Sequence, residues 1–460
     1  MPTKSLNDLI AEILDRGEPI DYESLLSWPK PPATSDSYES ARSALEAFDS
    51  AQKEWESTDD ANRTNATEKP APTVDTDRFP RWFWSLKPDR ISRGLPGVPF
   101  IDNELDLAHE LSPGDWCLAE TYVKHFAEPI ERCVTVQSPV DWRHGIRPKC
   151  FSDDVSMFYQ SYYVVKLLSL SAIFHSLNRT NTGWTTYLTS AAHIGSASAS
   201  IHLLMGHAIH VGCARRLLDT VAYILNRVPV SPEALTRLLS VLEYFDDEDV
   251  LKNAFVGERV FALADFRTHV SEGQQADNWW LWLDERKQIE LHYYLENMAE
   301  LVAIARLPLQ ERFSIWLDYI QRSMRRPKSK ELHKAINEAA KSALPLNLNT
   351  LTRLRLMKVA LRAIKDGPRS LANEGFLPQD PFDPDGAPLR FRHCGDQFFA
   401  YSVGVNQADD GGSTEQLDEY GPLWGLVQHR FLTKDILIAG TPRNNGTVSI
   451  EWPWDVAIEQ

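Results

Sequence analysis

The side chains best suited to chemistry in this sequence are His193, His202, His207 and His210, all in one apolar stretch. His207 and His210, three apart, share a face if the stretch is helical, the spacing at which two imidazoles can hold one metal ion. No HExxH motif accompanies them, and no Asp or Glu follows within the stretch until Asp219. The residues therefore favour buried neutral histidines over metal ligands. Glu258 and Arg259 also sit in an apolar run, as do Arg215 and Arg216, and a buried ion pair between helices is their expected use. The aromatic runs Trp279-Trp280-Leu281-Trp282 and Tyr293-Tyr294 would either line a ligand groove or fill a core, and helical spacing favours the core. There is no GxSxG, P-loop, GxGxxG or kinase set, so no catalytic residue is assigned. If the chain is an enzyme, the residues above make it a metal-dependent hydrolase with its pocket in a helical body, using the histidines or Glu258.

The elements that must carry these residues are helices. Ser5, with Asp8 three residues on, caps a first helix whose Leu6, Leu9, Ile10, Ile13 and Leu14 recur at helical spacing before Gly17 and Pro19. A second covers Tyr38 to Trp55. Residues 57–77 are polar and nearly without apolar anchors, which predicts a flexible linker. From Arg81 to Lys149, Trp82, Phe83 and Trp84 form an aromatic cluster, and Pro and Gly punctuate the rest, so irregular structure with short helices is expected. Long helices follow over Met157–Leu177 and Thr185–Asn226, the latter open to a break near Gly195 or Gly206. The small residues Gly195 to Ser200 would let neighbouring helices approach closely. Ser231 caps and Pro232 opens another helix, and further helices are read over Asn278–Leu307, Leu309–Arg325, Glu331–Leu344 and Leu351–Ile364. No period of a helical repeat array is present.

After Gly367-Pro368 the pattern changes. Leu389, Phe391 and His393 alternate with Arg390 and Arg392, Phe399 and Tyr401 alternate with Ala400 and Ser402, and Gly395-Asp396 joins the two runs as a β-hairpin. Strands are also expected at Asp435–Ala439 and Thr447–Trp452. The fold class is thus mostly α, a multi-helical body with a small C-terminal α+β unit. Its parts are N-terminal helices at 1–56, a linker at 57–80, the helical body at 81–345 and the α+β tail at 346–460. Asp383, Asp385 and Gly386 superficially resemble a calcium loop of the EF-hand. That register would begin at Pro381 and end at Arg392 instead of Glu, so a Pro-Asp-Gly turn is read there.

The tail order Pro378, Asp380-Pro381-Phe382, Pro388-Leu389-Arg390-Phe391-Arg392, Tyr401-Ser402-Val403-Gly404, Asp409-Asp410-Gly411-Gly412 resembles the C-terminal half of the major pseudopilin of type II secretion systems. It is more similar to a class of uncharacterised planctomycete proteins, which also resemble the N-terminal helix and segments such as Ser231–Phe245 and Gly257–Leu263. That class has no assigned activity. The prepilin cleavage site and long apolar N-terminal helix of pseudopilins are absent from this sequence, as is the N-terminal membrane anchor typical of the planctomycete class. The pseudopilin resemblance implies calcium in the acidic loop. Asn406, Asp409 and Asp410 supply oxygen ligands within five residues, Gly411-Gly412 lets the main chain fold tightly, and Asp435 resembles the carboxylate that returns to the loop. Residues 413–434 intervene before Asp435, and a self-capped Asx turn is the competing use of these side chains.

Composition excludes some classes. With 48 Lys and Arg against 64 Asp and Glu, the formal charge is −16, which disfavours sequence-independent nucleic-acid binding. The five cysteines, Cys117, Cys133, Cys150, Cys213 and Cys394, form no CxxC pair and read as free thiols, with Cys117 able to pair with Cys133 or Cys150 only in an exported protein. No stretch has the roughly 20 uncharged residues of a membrane span. Taken as written, the sequence predicts a cytoplasmic, non-enzymatic scaffold or interaction protein with a protein partner, and an envelope association if the start is incomplete.

Overall fold

The computed structural model describes residues 4–29, 36–63, 113–144, 156–178, 183–271, 279–325, 332–374, 377–394, 396–409, 411, 436–442 and 448–451. Helix α1 spans Leu6–Asp15. The Ser5 hydroxyl accepts the Asp8 N–H and the Asp8 carboxylate accepts the Ser5 N–H, which fixes its start. Helices α2 (Tyr22–Leu26) and α3 (Asp36–Arg63) follow. The expected helix from Tyr38 to Trp55 is therefore longer and runs past the boundary drawn at 56. The rest of the expected linker, and Trp82, Phe83 and Trp84, lie outside the described residues. Short helices α4 (Pro113–His125) and α5 (Ala127–Val134) precede α6 (Ser156–Leu177), α7 (Trp184–Ser196) and α8 (Leu204–Leu225). The 3-10 turn Ala197–Ile201 separates α7 from α8, so the chain breaks between the two glycines suspected from the sequence. A Cβ at Gly195 would lie 2.9 Å from Cys213 Cβ and 3.0 Å from Val165 Cγ2, so α6, α7 and α8 meet where only glycine fits.

Helix α9 (Pro232–Glu243) starts as its sequence dictates, with Ser231 accepting the Ala234 N–H at 3.3 Å and Pro232 in the first turn. Helices α10 (Val250–Arg267), α11 (Glu285–Arg306) and α12 (Leu309–Arg325) complete the body, with the 3-10 turn Trp279–Trp282 leading into α11. Next comes α13 (Leu332–Asp366), a single helix of 35 residues through Pro345 where two helices were expected. The division placed between 345 and 346 falls inside it. From Asn347 to Leu361 it is buried on every side, its polar residues included. Thr350 and Thr352 return their hydroxyls to the carbonyls of Leu346 and Leu348. Arg355 reaches Asp246, Glu248 and the Gln379 carbonyl, and Lys358 reaches Asp246 and Glu243. Buried cations so satisfied clamp α9 and the turn after it onto α13.

The short helix α14 (Pro368–Glu374) leads into a four-stranded antiparallel sheet of order β1 (Arg390–Cys394), β2 (Gln397–Ser402), β3 (Ile436–Pro442), β4 (Val448–Glu451). The hairpin register pairs Cys394 with Gln397 and Arg390 with Tyr401. Phe398, Ala400 and Ile438 are buried, and β2 and β3 pack on α13. One apolar core joins Leu9 of α1, Phe48 of α3, Leu217 of α8, Leu354 of α13 and Phe398 of β2. The fold is mostly α with a small α+β unit, as the patterning requires, and α13 belongs to both parts. Among the described residues no helix is long and apolar enough to cross a membrane.

Candidate functional site

In the tail, the residues of the Asp-Pro-Phe and Tyr-Ser-Val-Gly segments close on one another. Asp380 is fully buried: its Oδ1 accepts the Ser402 hydroxyl at 2.7 Å and the Phe382 N–H at 3.0 Å, and its Oδ2 accepts the Val403 N–H at 2.9 Å. Burial raises its pKa despite these bonds. Asp383 accepts the N–H groups of Asp385 and Ala387, and the Gly386 N–H donates to the Asp383 carbonyl, so the Asp-Pro-Asp-Gly segment is the turn expected. Burial works to raise Asp383 as well, but the Arg390 guanidinium at 2.5 Å and the two N–H donors bring it below the ordinary carboxylate range. Arg390 also lies 3.4 Å from Asp380 and 3.7 Å from Asp409. Three carboxylates thus converge on one guanidinium, and the Asp-Pro-Phe turn, β1, the Tyr-Ser-Val-Gly end of β2 and the acidic loop are tied by it.

Of the four residues suggested as calcium ligands, Asp410 and Asp435 lie outside the described residues. Asn406 Oδ1 accepts the Ala408 N–H at 3.3 Å, and Asp409 Oδ1 accepts the Tyr401 hydroxyl at 3.1 Å and the Gly411 N–H at 3.0 Å. These two side chains make the local bonds of an Asx turn, and the charge facing Asp409 is that of Arg390. Among the described residues no three His, Cys, Asp or Glu side chains are grouped closely enough to hold a metal ion.

In the helical body, Glu258 projects from α10 to the start of α8. Its Oε1 accepts the Leu204 N–H at 2.9 Å, and it supplies the cap that Leu203 lacks. Burial pushes Glu258 up to about 7, although the Leu204 bond opposes the shift. The preceding residue explains how α10 comes so near. A Cβ on Gly257 would stand 1.6 Å from the His202 carbonyl oxygen, so only glycine admits the turn that carries His202. His202 itself is in the left-handed region (φ 55°, ψ 41°), a conformation unfavourable for a residue with a Cβ. Its ring meets Trp28 edge-on at 6.0 Å, and among the described residues Nδ1 has no hydrogen-bond partner.

The other three histidines hold elements together. His193 Nδ1 donates to the Val136 carbonyl at 3.0 Å, His207 Nε2 to Asn347 Oδ1 on α13 at 3.0 Å, and His210 Nδ1 to the Ser196 carbonyl at 3.4 Å. Burial depresses His202, His207 and His210 to about 4 each, so all three are neutral near pH 7. His207 and His210 share one helix, as their spacing implies, but each commits a ring nitrogen to a different neighbour.

Arg259 does not pair with Glu258. It meets Glu18, beyond the end of α1, at 2.6 Å, with both side chains fully buried, and donates to the Pro19 carbonyl at 3.3 Å. Arg306 of α11 grips the same carboxylate, and Arg16 lies 3.3 Å from it. The expected buried ion pair exists, with a partner 241 residues away that no local spacing marks. The aromatic runs divide: Trp279, Trp280 and Tyr294 are core residues, whereas Leu281, Trp282 and Tyr293 are exposed. Cys117, Cys133 and Cys213 are free thiols. No family model matches the chain, and no match is found among curated proteins or solved structures.

Proposed function

We propose that this chain is a non-enzymatic α-helical interaction scaffold carrying a pseudopilin-like C-terminal unit. One observation supports the reading above others: of the side chains with catalytic potential in the body, His193, His207, His210, Glu258 and Arg259 each bond to another element of the same chain, and among the described residues His202 alone, packed edge-on against Trp28, does not. A histidine that donates one N–H to a carbonyl still has its other ring nitrogen to offer, but among the described residues no three His, Cys, Asp or Glu side chains come close enough to share an ion. As structural ties the bonded side chains make the body a rigid platform. The pseudopilin-like part of the reading leans on the Asp380 bonds, which give the motif residues of the tail a shared structural purpose. A hydrolase screen of the purified chain, with elemental analysis for zinc and iron, tests the proposal. The expected result is no turnover and no stoichiometric metal. A specific hydrolysis abolished by His207→Ala or Glu258→Gln in a chain that still folds would replace the scaffold with an enzyme.

A further inference from the structure

A scaffold acts through its surface, and one part of this surface is unusual. Trp282 is 61% exposed, Leu281 53%, Ile289 48% and Tyr293 38%, although Trp279, Trp280 and Tyr294 beside them are buried. All four fall within thirteen residues at the entry to α11, and we treat them as one ridge. Ile289 and Tyr293 are four apart on α11 and share a face, and Leu281 and Trp282 occupy the 3-10 turn that enters the helix. Gln288 Nε2 donates to the carbonyls of Leu281 and Leu283, at 3.1 and 2.8 Å, and pins that turn against the first turns of α11. Trp280 Nε1 donates to Asn7 Oδ1 at 2.8 Å, which anchors the turn to α1 from behind. The ridge is therefore rigid before anything binds, and Trp and Tyr on a rigid support are the side chains that dominate protein interfaces.

The surrounding charge selects the occupant. Asp284, Glu285, Glu290 and Glu296 flank the ridge against Arg286 and Lys287, and the whole chain carries −16. A second copy would bring like carboxylates together, and an anionic lipid surface would be repelled. From Glu285, where α11 begins, to Tyr293 the helical part of the ridge rises about 12 Å, a little over two turns of a partner helix. Resting on the interaction reading above, we infer that the Trp282–Tyr293 ridge docks an amphipathic helix of a protein partner, apolar on one face and basic on its flanks.

The probes are two labelled peptides of about 18 residues, enough for five helical turns. One is a Leu/Lys amphipathic helix and the other its Leu/Glu counterpart. Each is titrated against the full chain at near-physiological salt and followed by anisotropy. The expected preference for Leu/Lys is about tenfold or more. Trp282→Ala with Ile289→Ser should abolish most of it, Phe399→Ala on the distant sheet should not, and Glu285→Lys with Glu290→Lys should shift preference toward Leu/Glu. Glu290 is half-buried and the other sites are exposed, and unchanged melting of each variant verifies folding. Equal binding by the Trp282/Ile289 variant overturns the inference as mere charge attraction. So does equal affinity for Leu/Glu, Trp282-dependent dimerisation in sedimentation, or Trp282-dependent binding to zwitterionic vesicles. Any of these leaves the scaffold reading intact, because that reading fails on turnover and this one fails on the ridge.

Discussion

Acid should unfold this protein well above the pH at which ordinary carboxylates titrate, and three histidines set the size of the effect. His202, His207 and His210 each fall from an ordinary 6.5 to about 4 in the folded chain. A depressed histidine contributes stability that is complete above pH 6.5 and is lost as pH falls toward 4, because the unfolded state takes up its proton first. Each shift corresponds to about 3 kcal/mol, so the three together remove about 10 kcal/mol. Glu258 works the other way. Raised to about 7 from 4.5, it adds about 3 kcal/mol as pH falls through that window. The net loss of about 7 kcal/mol is comparable to the whole stability of many domains. Near pH 5 the unfolded chain holds about two more protons than the folded one, a slope of about 2.5 kcal/mol per pH unit. Urea unfolding followed by helical circular dichroism from pH 7.5 to 4.5 measures that slope. His207→Gln keeps a donor for Asn347 and should flatten it by about one proton. Stability that is level or rising from pH 7 to 4.5 would refute the claim that these histidines are buried neutral.

Three further outcomes follow from the same geometry. Glu258→Gln keeps an acceptor for the Leu204 N–H and removes a buried charge, so it should raise stability at pH 8 by about 1–3 kcal/mol and change little at pH 5, read as paired denaturation midpoints. Glu18→Ala leaves Arg259 buried without its carboxylate and should cost about 3–5 kcal/mol, with Arg259→Met in the same chain recovering much of the loss. Millimolar calcium should leave the melting temperature where chelator leaves it, because Arg390 already faces Asp409 and any ion held by Asn406 and Asp409 must sit beside that guanidinium; a rise on adding calcium would establish a site in the loop.

What the sequence revealed depends on how far apart the participating residues lie. The Ser5–Asp8 capping box, the Ser231-Pro232 start and the hairpin about Gly395-Asp396 are local, so spacing and residue type suffice to read them. The break between α7 and α8 was legible near Gly195 or Gly206, but the close approach of Gly257 to the His202 carbonyl beside it joins positions far apart in the chain. The helices expected over Glu331–Leu344 and Leu351–Ile364 are one, because tertiary burial of the residues beyond Pro345 carries α13 straight through. The Asp-Pro-Phe and Tyr-Ser-Val-Gly motifs were visible as text. Arg390, whose guanidinium gathers Asp380, Asp383 and Asp409, stood in the same text and in a strand-like alternation, but neither marked it as the partner of three carboxylates. Glu18, between the Gly17 and Pro19 that follow the first helix, is the anchor of Arg259 and Arg306 and had nothing nearby to mark it.

Helix α13 carries a consequence for how this chain can vary. Its 35 residues extend about 52 Å, with the body gripping it through Asn347, Arg355 and Lys358 and the sheet resting on the same rod. One residue inserted between Asn347 and Arg355 would turn everything beyond by about 100° and advance it about 1.5 Å. The His207 bond and the Arg355 clamp could then not be kept together. Along this shaft the residue count itself is the constraint.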